Sequence, residues 1–238
     1  MGFSGGPLLS AADQAAKRRQ VFAQLQANDL MGADLLEVGY AVRGHMPMDQ
    51  HLQLWDTFSR HARWLTGNGV SDDHSGKPWR GLRNGHLTGI WAASAALADL
   101  TAALAAGRAY VFHPGLTPGL RLDTLVDDTV PMGAVSVSDA VSRTLAVQLA
   151  GLPSDGTVEL VGGPVDLTGE DPGTAVLGRW SATAFPGGAG TVRAPVDTSS
   201  SCFVRVQVRR SGTLTASGNP TWLLRSAPPE GIPAARAS

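Results

Sequence analysis

The pattern of apolar residues and turn residues changes near Pro118, and this change constrains the fold more than any other feature of the sequence. Before it, apolar stretches alternate with helical patterns. After it, short apolar stretches are separated by turns rich in Gly, Pro, Asp and Ser. The first pattern is typical of βαβ units with a parallel sheet, and the second of an antiparallel sandwich. We therefore expect domains at 1–116 and 117–226, and a disordered Pro- and Ala-rich tail at 227–238.

Helices and strands alternate in the first half. The helices are expected at 11–28, 50–62 and 94–106, and the strands at 34–40, 63–70 and 108–112. Ser10, Asp49 and Ser94 are suitable N-caps for the three helices in turn. Strands in the second half are expected at 120–126, 143–149, 156–161, 179–184, 190–195, 202–209 and 213–216. In the 202–209 strand, period-2 spacing places Val204, Val206 and Val208 on one face, with Arg and Gln side chains on the other.

Composition excludes several functional classes. The 238 residues carry a net charge of −1, so no basic excess attracts nucleic acid or a membrane surface. No segment approaches the ~20 apolar residues of a membrane-spanning helix. No signal peptide is recognisable at the N-terminus, so we expect a cytoplasmic location for the chain as expressed, while an exported longer parent stays open. The single cysteine, Cys202, lies in a strand pattern, which favours a buried thiol over a nucleophile.

Asp72 and His74 are the first candidates for a functional site. They follow the apolar stretch that ends at Val70, and residues two apart at a strand end lie on the same side. A carboxylate and an imidazole presented together suit a divalent metal such as Zn, Mn or Fe. The alternative is an ordinary turn with an Asx hydrogen bond and a solvated histidine.

Four groups of segments, in this order, resemble the C-terminal half of bacterial PHP-domain (polymerase and histidinol phosphatase-like) metal-dependent hydrolases. They are ADLLEV at 33–38, LWD at 54–56 with GVSDDH at 69–74, ALAAGRAYV at 103–111, and FVRVQVR at 203–209 with NPTW at 219–222. The resemblance implies a partial PHP-type (β/α) barrel followed by a small antiparallel β-sandwich. It also implies divalent metals at the strand ends, which activate water for attack on a phosphate ester. Asp72 and His74 match the last ligand pair of the family.

The sequence departs from this family because it contains no His-x-His pair, with which the family's barrel begins. We therefore expect a PHP-like metal-dependent hydrolase of the phosphoesterase class that lacks the N-terminal half of the metal ligands. The alternative is a non-catalytic binding or interaction protein built on the same scaffold. An open barrel edge also predicts a homo-oligomer or a partner chain that covers it. No catalytic residue is assigned.

Three further residues are candidates for binding a small anionic substrate. Arg80 and Arg83 lie in a polar loop after the Asp-His pair, and the forked guanidinium group suits phosphate. His45 lies in a loop between a strand and a helix, where barrel loops line the active face. The alternative for all three is a solvated surface loop. His86 shares the loop of Arg83, and His113 is interpreted as a hinge into the second domain rather than as a ligand.

Overall fold

The computed structural model describes residues 7–71 and 85–238. Its three α-helices within these ranges are α1 (Ala11–Ala27), α2 (Met48–Arg60) and α3 (Leu97–Ala105). The strands are β1 (Leu35–Gly39), β2 (Val42–Arg43), β3 (Met46–Pro47), β4 (Thr66–Gly69), β5 (Leu87–Ile90), β6 (Ala109–Phe112), β7 (Arg121–Val126), β8 (Val130–Pro131), β9 (Val135–Val137), β10 (Ser142–Ala150), β11 (Gly156–Pro164), β12 (Ala175–Ser181), β13 (Gly190–Asp197), β14 (Cys202–Arg210), β15 (Thr213–Gly218) and β16 (Thr221–Leu224).

One βαβ unit forms where the helix and strand patterns predict it. β1 and β4 pair in parallel, and α2 connects them. The helix is amphipathic, and the fully buried side chains of Trp55 and Phe58 lie on its inner face. α1 begins at Ser10, whose hydroxyl accepts a hydrogen bond from the Asp13 N–H at 3.2 Å. It packs on α2 through Phe22, whose ring centroid lies 5.1 Å from that of Phe58.

The strands of the second half lie in two sheets, the larger of which also contains β5 and β6 from the first half. The smaller sheet has the order β13-β10-β7-β8, and the larger runs β12-β11-β14-β15-β6-β5, with β16 and β9 attached beside β14. The two sheets enclose a core that includes Leu122 and Val147 from the smaller sheet and Val206 and Val208 from the larger. All four side chains are fully buried, which is the alternation expected of strands that cover one core.

α2 lies on the opposite face of the larger sheet and is joined to it by buried charges. The guanidinium group of Arg205 on β14 donates two hydrogen bonds to the Asp56 carboxylate on α2, at 2.7 and 2.8 Å. Both side chains are almost completely buried, at 4% and 1% exposure. α2, the larger sheet and the smaller sheet therefore form three successive layers.

The predicted fold class is wrong, because no closed or partial (β/α) barrel is present in the described residues. Strands make up 39% of the structure and helices 22%, so the protein is mainly β. β5 and β6 are joined through α3 but pair antiparallel, and β6 continues antiparallel into β15. A barrel of this type requires parallel neighbours, so its strand series does not continue beyond β1 and β4.

The larger sheet crosses the expected domain boundary at 116/117, because β6 and β15 pair across it. The two parts of the chain thus share one sheet, and their division into two domains stays a prediction.

Within the C-terminal segment, for which composition favours disorder, Arg236 is 3% exposed and donates to the Gly133 carbonyl at 2.8 Å. Ala237 forms a bridge with Val135. Among the described residues, no helix combines the length and hydrophobicity needed to cross a membrane.

Candidate binding cleft

Two glycines bring the ends of β1 and β4 close to the start of β5. Gly39 and Gly69 are paired at the ends of the two parallel strands. A Cβ atom on Gly39 would lie 2.6 Å from Val111 Cγ1 and 3.0 Å from His86 Cβ, and one on Gly69 would lie 2.5 Å from the Leu87 carbonyl oxygen. The close approach of these strand ends therefore depends on the missing side chains.

A cleft of about 520 Å³ opens beside these strand ends. This volume lies within the range of about 300–1,000 Å³ that is usual for small-molecule sites. The described residues that line it are Leu8, Ala41, Val42, Pro47, Met48, Asp49, His86, His113, Leu116, Thr213 and Leu214. Most of these side chains are apolar, and the polar groups are few, which is the usual character of a cleft that binds a small molecule.

The cleft contains two buried histidines, His86 and His113, which are 2% and 8% exposed. They meet because Leu87 of β5 is paired with Phe112 of β6, so the two histidines are the next residues beyond that pair. Their ring centroids are 5.0 Å apart and the rings are nearly perpendicular, at 87°. This edge-to-face arrangement is a favourable packing of two aromatic rings.

The orientation of the His113 ring follows from its contacts with the backbone. The Gly115 N–H donates to His113 Nδ1 at 3.1 Å. This contact uses Nδ1 as an acceptor and fixes the orientation of the ring. The Thr117 hydroxyl also donates to the His113 carbonyl at 3.0 Å, which fixes the turn that holds the ring.

The outer wall of the cleft is the β2–β3 hairpin together with the segment at 7–9. The hairpin turns at Gly44 and His45, which both have positive φ, at 57° and 65°. His45 Nδ1 lies 3.1 Å from the Pro7 carbonyl oxygen, and the Leu9 N–H donates to the His45 carbonyl at 3.1 Å. His45 is therefore an exposed residue that attaches the N-terminal segment to the hairpin. It does not line the cleft.

His51 lies beneath this hairpin and is held neutral. Its pKa is lowered to about 4, first because burial disfavours the charged ring and second because Arg43 is nearby and positively charged. Hydrogen bonds with the backbone of Met46 and Arg43 oppose the shift only in part. The ring packs 5.8 Å from that of Tyr40, and its buried Nε2 makes no hydrogen bond within the described part of the chain.

The structure leaves most of the predicted site residues untested. Asp72, His74, Arg80 and Arg83 lie outside the described residues, so the metal site and the anion-binding arginines stay predictions. Between 7–71 and 85–238, no group of three or more His, Cys, Asp or Glu side chains is arranged to hold a metal ion. The expected anionic substrate, the oligomer and the covering partner chain also stay predictions.

Sequence reasoning missed the residues that form the cleft. The sequence patterns place His86 in a polar loop and His113 in a hinge, and they do not predict β5. The missed signal is the pair of short apolar segments LTGI at 87–90 and AYVF at 109–112, each with a histidine at one end. If these segments pair antiparallel, the two histidines meet.

Cys202 agrees with the expected unreactive thiol, because burial raises its pKa to about 11.

Comparison with known proteins gives little support for any family. No family model matches the chain. No curated protein matches it either. Among solved structures, a DUF3823 family protein from Bacteroides ovatus is similar over 46% of this chain and 57% of its own length. The identity is 12% and the TM-score is 0.26.

The resemblance to the PHP hydrolases is therefore wrong as an assignment. The described residues form mainly β-sheet with no barrel, and no PHP family model matches the chain. Neither the structure nor the comparisons support a metal-dependent phosphoesterase. Where the structure describes them, the short shared segments correspond to a single βαβ unit, to the end of α3 and to strands of the larger sheet.

Proposed function

We propose that the chain is a non-catalytic binding protein whose cleft takes a small, largely apolar molecule. The observation that carries this proposal is the cleft of about 520 Å³, with mainly apolar walls and two buried histidines. Apolar walls favour apolar ligands, and a few fixed polar groups then orient the ligand. Leu116 and Leu214 supply such walls, and His113 supplies a polar group held in one orientation.

The expected affinity follows from the apolar area that a ligand loses to water. A ligand of naphthalene size that buries about 200 Å² of apolar surface gains about 5 kcal/mol, at about 25 cal/mol per Å². The loss of translational and rotational freedom offsets part of this gain. A gain of about 5 kcal/mol corresponds to a dissociation constant of about 0.2 mM, so after the offset we expect about 0.2–1 mM for a simple naphthalene, with a negative heat-capacity change on binding.

Isothermal titration calorimetry with 1-naphthalenemethanol tests the proposal. Leu116 is partly exposed and lines the cleft, so Leu116→Trp should fill the space and weaken binding at least about tenfold without unfolding the protein. Leu97→Trp is the matched control, because Leu97 is 77% exposed on α3 and is not among the lining residues.

The control variant should bind as the wild type does. Absence of saturable binding by the wild-type protein up to about 5 mM would refute the proposed function. Equal affinity of Leu116→Trp and wild type would show that the ligand binds elsewhere, and the cleft would no longer support the proposal.

A further inference from the structure

Asp49 is the acidic residue among the described residues that line the cleft. Its carboxylate lies in the first turn of α2 and is 43% exposed. The charge that a ligand meets in this part of the cleft therefore depends on whether Asp49 is compensated.

Arg209 on β14 compensates Asp49. Its Nη2 donates to Asp49 Oδ1, its Nε donates to Glu159 Oε2 at 3.1 Å, and its Nη1 donates to the Gly212 carbonyl at 3.1 Å. The guanidinium group is thus held by three acceptors on three different segments. Burial alone would lower the pKa of Arg209, but the hydrogen bonds and charges of Asp49 and Glu159 outweigh burial and raise it.

Glu159 does not need Arg209 for its own neutralisation. Arg179 donates to Glu159 Oε1 through Nε at 3.0 Å and through Nη2 at 2.7 Å. Gln207 donates to the other carboxylate oxygen at 2.7 Å. The four charged groups therefore form two neutral pairs, Arg179 with Glu159 and Arg209 with Asp49. Removing Arg209 leaves Asp49 as the uncompensated member.

We propose that the Arg209–Asp49 ion pair determines the ligand specificity of the cleft by making it select an uncharged molecule. This inference rests on the proposed binding function and deepens it, since it names the charge class of the ligand. An ion bound beside the pair would lose hydration without gaining a net opposite charge, whereas a neutral ligand has no such cost. Arg209 acts as a positioning residue, because it works through Asp49 and does not itself line the cleft.

Three naphthalenes of matched shape test the inference: neutral 1-naphthalenemethanol, cationic 1-naphthylmethylammonium and anionic 1-naphthoate. The wild-type protein should bind the neutral compound most tightly. Arg209→Met keeps the apolar stem and exposes the Asp49 charge, so the affinity for the cation relative to the neutral compound should rise about five- to tenfold. This rise should shrink at high salt, because the site is partly open to solvent.

Two further variants separate specificity from a general loss of structure. Asp49→Asn leaves Arg209 in place and should shift the preference in the opposite direction, towards the anion. The double variant should return the preference to the neutral compound. Arg193→Met removes a charge of the same sign from an exposed pair with Asp128 on the smaller sheet, so it should leave the preference unchanged. Circular dichroism confirms that each variant is folded.

The outcomes distinguish this inference from the proposed function. If the wild-type protein binds none of the three compounds saturably, the proposed function fails and the inference fails with it. If the wild-type protein binds the neutral compound, but Arg209→Met and Asp49→Asn leave the relative affinities for the three compounds unchanged, the inference alone is overturned. If the wild-type protein prefers either ion to the neutral compound, the inference is overturned as well.

Discussion

Replacing Arg205 with methionine is expected to lower the free energy of unfolding by about 3–5 kcal/mol, the usual range for breaking a buried ion pair by removing one partner. Asp56 and Arg205 are 1% and 4% exposed and share two hydrogen bonds of 2.7 and 2.8 Å. Methionine fills the space of the arginine stem but leaves the Asp56 carboxylate buried without its cation. Gln207 also loses the hydrogen bond that it accepts from Arg205 at 2.7 Å.

This loss is large for a protein of this size, because domains are typically stable by about 5–15 kcal/mol. Replacing both partners with apolar residues, in the double variant Asp56→Leu with Arg205→Met, removes the uncompensated charge. We expect the double variant to recover most of the lost stability, to within about 1–2 kcal/mol of the wild type. The coupling free energy between the two positions should therefore exceed about 1 kcal/mol and be favourable in the wild type.

Equilibrium unfolding in urea measures these quantities. Tryptophan fluorescence reports the environment of Trp55 and Trp222, which are fully buried, and circular dichroism reports secondary structure. Coincident transitions would show that α2 and the larger sheet unfold together, as a shared buried ion pair requires. A cost below about 1 kcal/mol for Arg205→Met, or a double variant as unstable as the sum of the single variants, would refute the reasoning.

Two further predictions concern the helix and strand layer around the cleft. The pKa of His51 is lowered from 6.5 to about 4, so its contribution to stability is fully present above pH 6.5 and is lost as the pH falls from 6.5 to 4. At about 1.36 kcal/mol per pKa unit, and allowing for partial burial, the free energy of unfolding should fall by about 2–3 kcal/mol over this pH range. The variant His51→Gln should therefore show a flatter pH dependence of the urea midpoint. An equal acid sensitivity in His51→Gln would contradict this assignment. Separately, an alanine Cβ at Gly67 would lie 2.5 Å from the buried Trp55 ring. Gly67→Ala should therefore lower the free energy of unfolding by about 1–3 kcal/mol and lower the thermal midpoint. An unchanged midpoint would show that the strand moves freely.

The alternation in β14 shows what the sequence predicts and what it leaves out. Val204, Val206 and Val208 face the core between the two sheets, as the period-2 pattern predicts. The opposite face carries Arg205 and Gln207, and such a polar face usually indicates exposure to solvent. Instead both are buried, at 4% and 5% exposure, because α2 covers them.

The acidic residues of α2 explain how this polar face is buried. Asp49 and Asp56 are seven residues apart, so they lie on the same side of the helix. Arg205 and Arg209 are four residues apart on one face of β14, so each meets one carboxylate. The sequence contains both spacings, but the match between them depends on tertiary packing. It is visible only when helix and strand are placed together.

The barrel prediction failed at a different step, the direction of the strands. A helix between two strands usually indicates a parallel crossover, and this holds for β1, α2 and β4. The same pattern occurs at β5, α3 and β6, yet these strands pair antiparallel. The alternation of helices and strands specifies the elements but not their direction, and here pairing of β6 with β15 from the second half places β6 in a largely antiparallel sheet.

This antiparallel pairing is also what creates the cleft. Had β5 and β6 been parallel neighbours, His86 before β5 and His113 after β6 would lie at opposite ends of the sheet. Pairing them antiparallel brings the two histidines within 5.0 Å, at the end where Gly39 and Gly69 leave room. The feature that overturns the predicted fold therefore also assembles the candidate site, so the two could not have been predicted separately from the sequence.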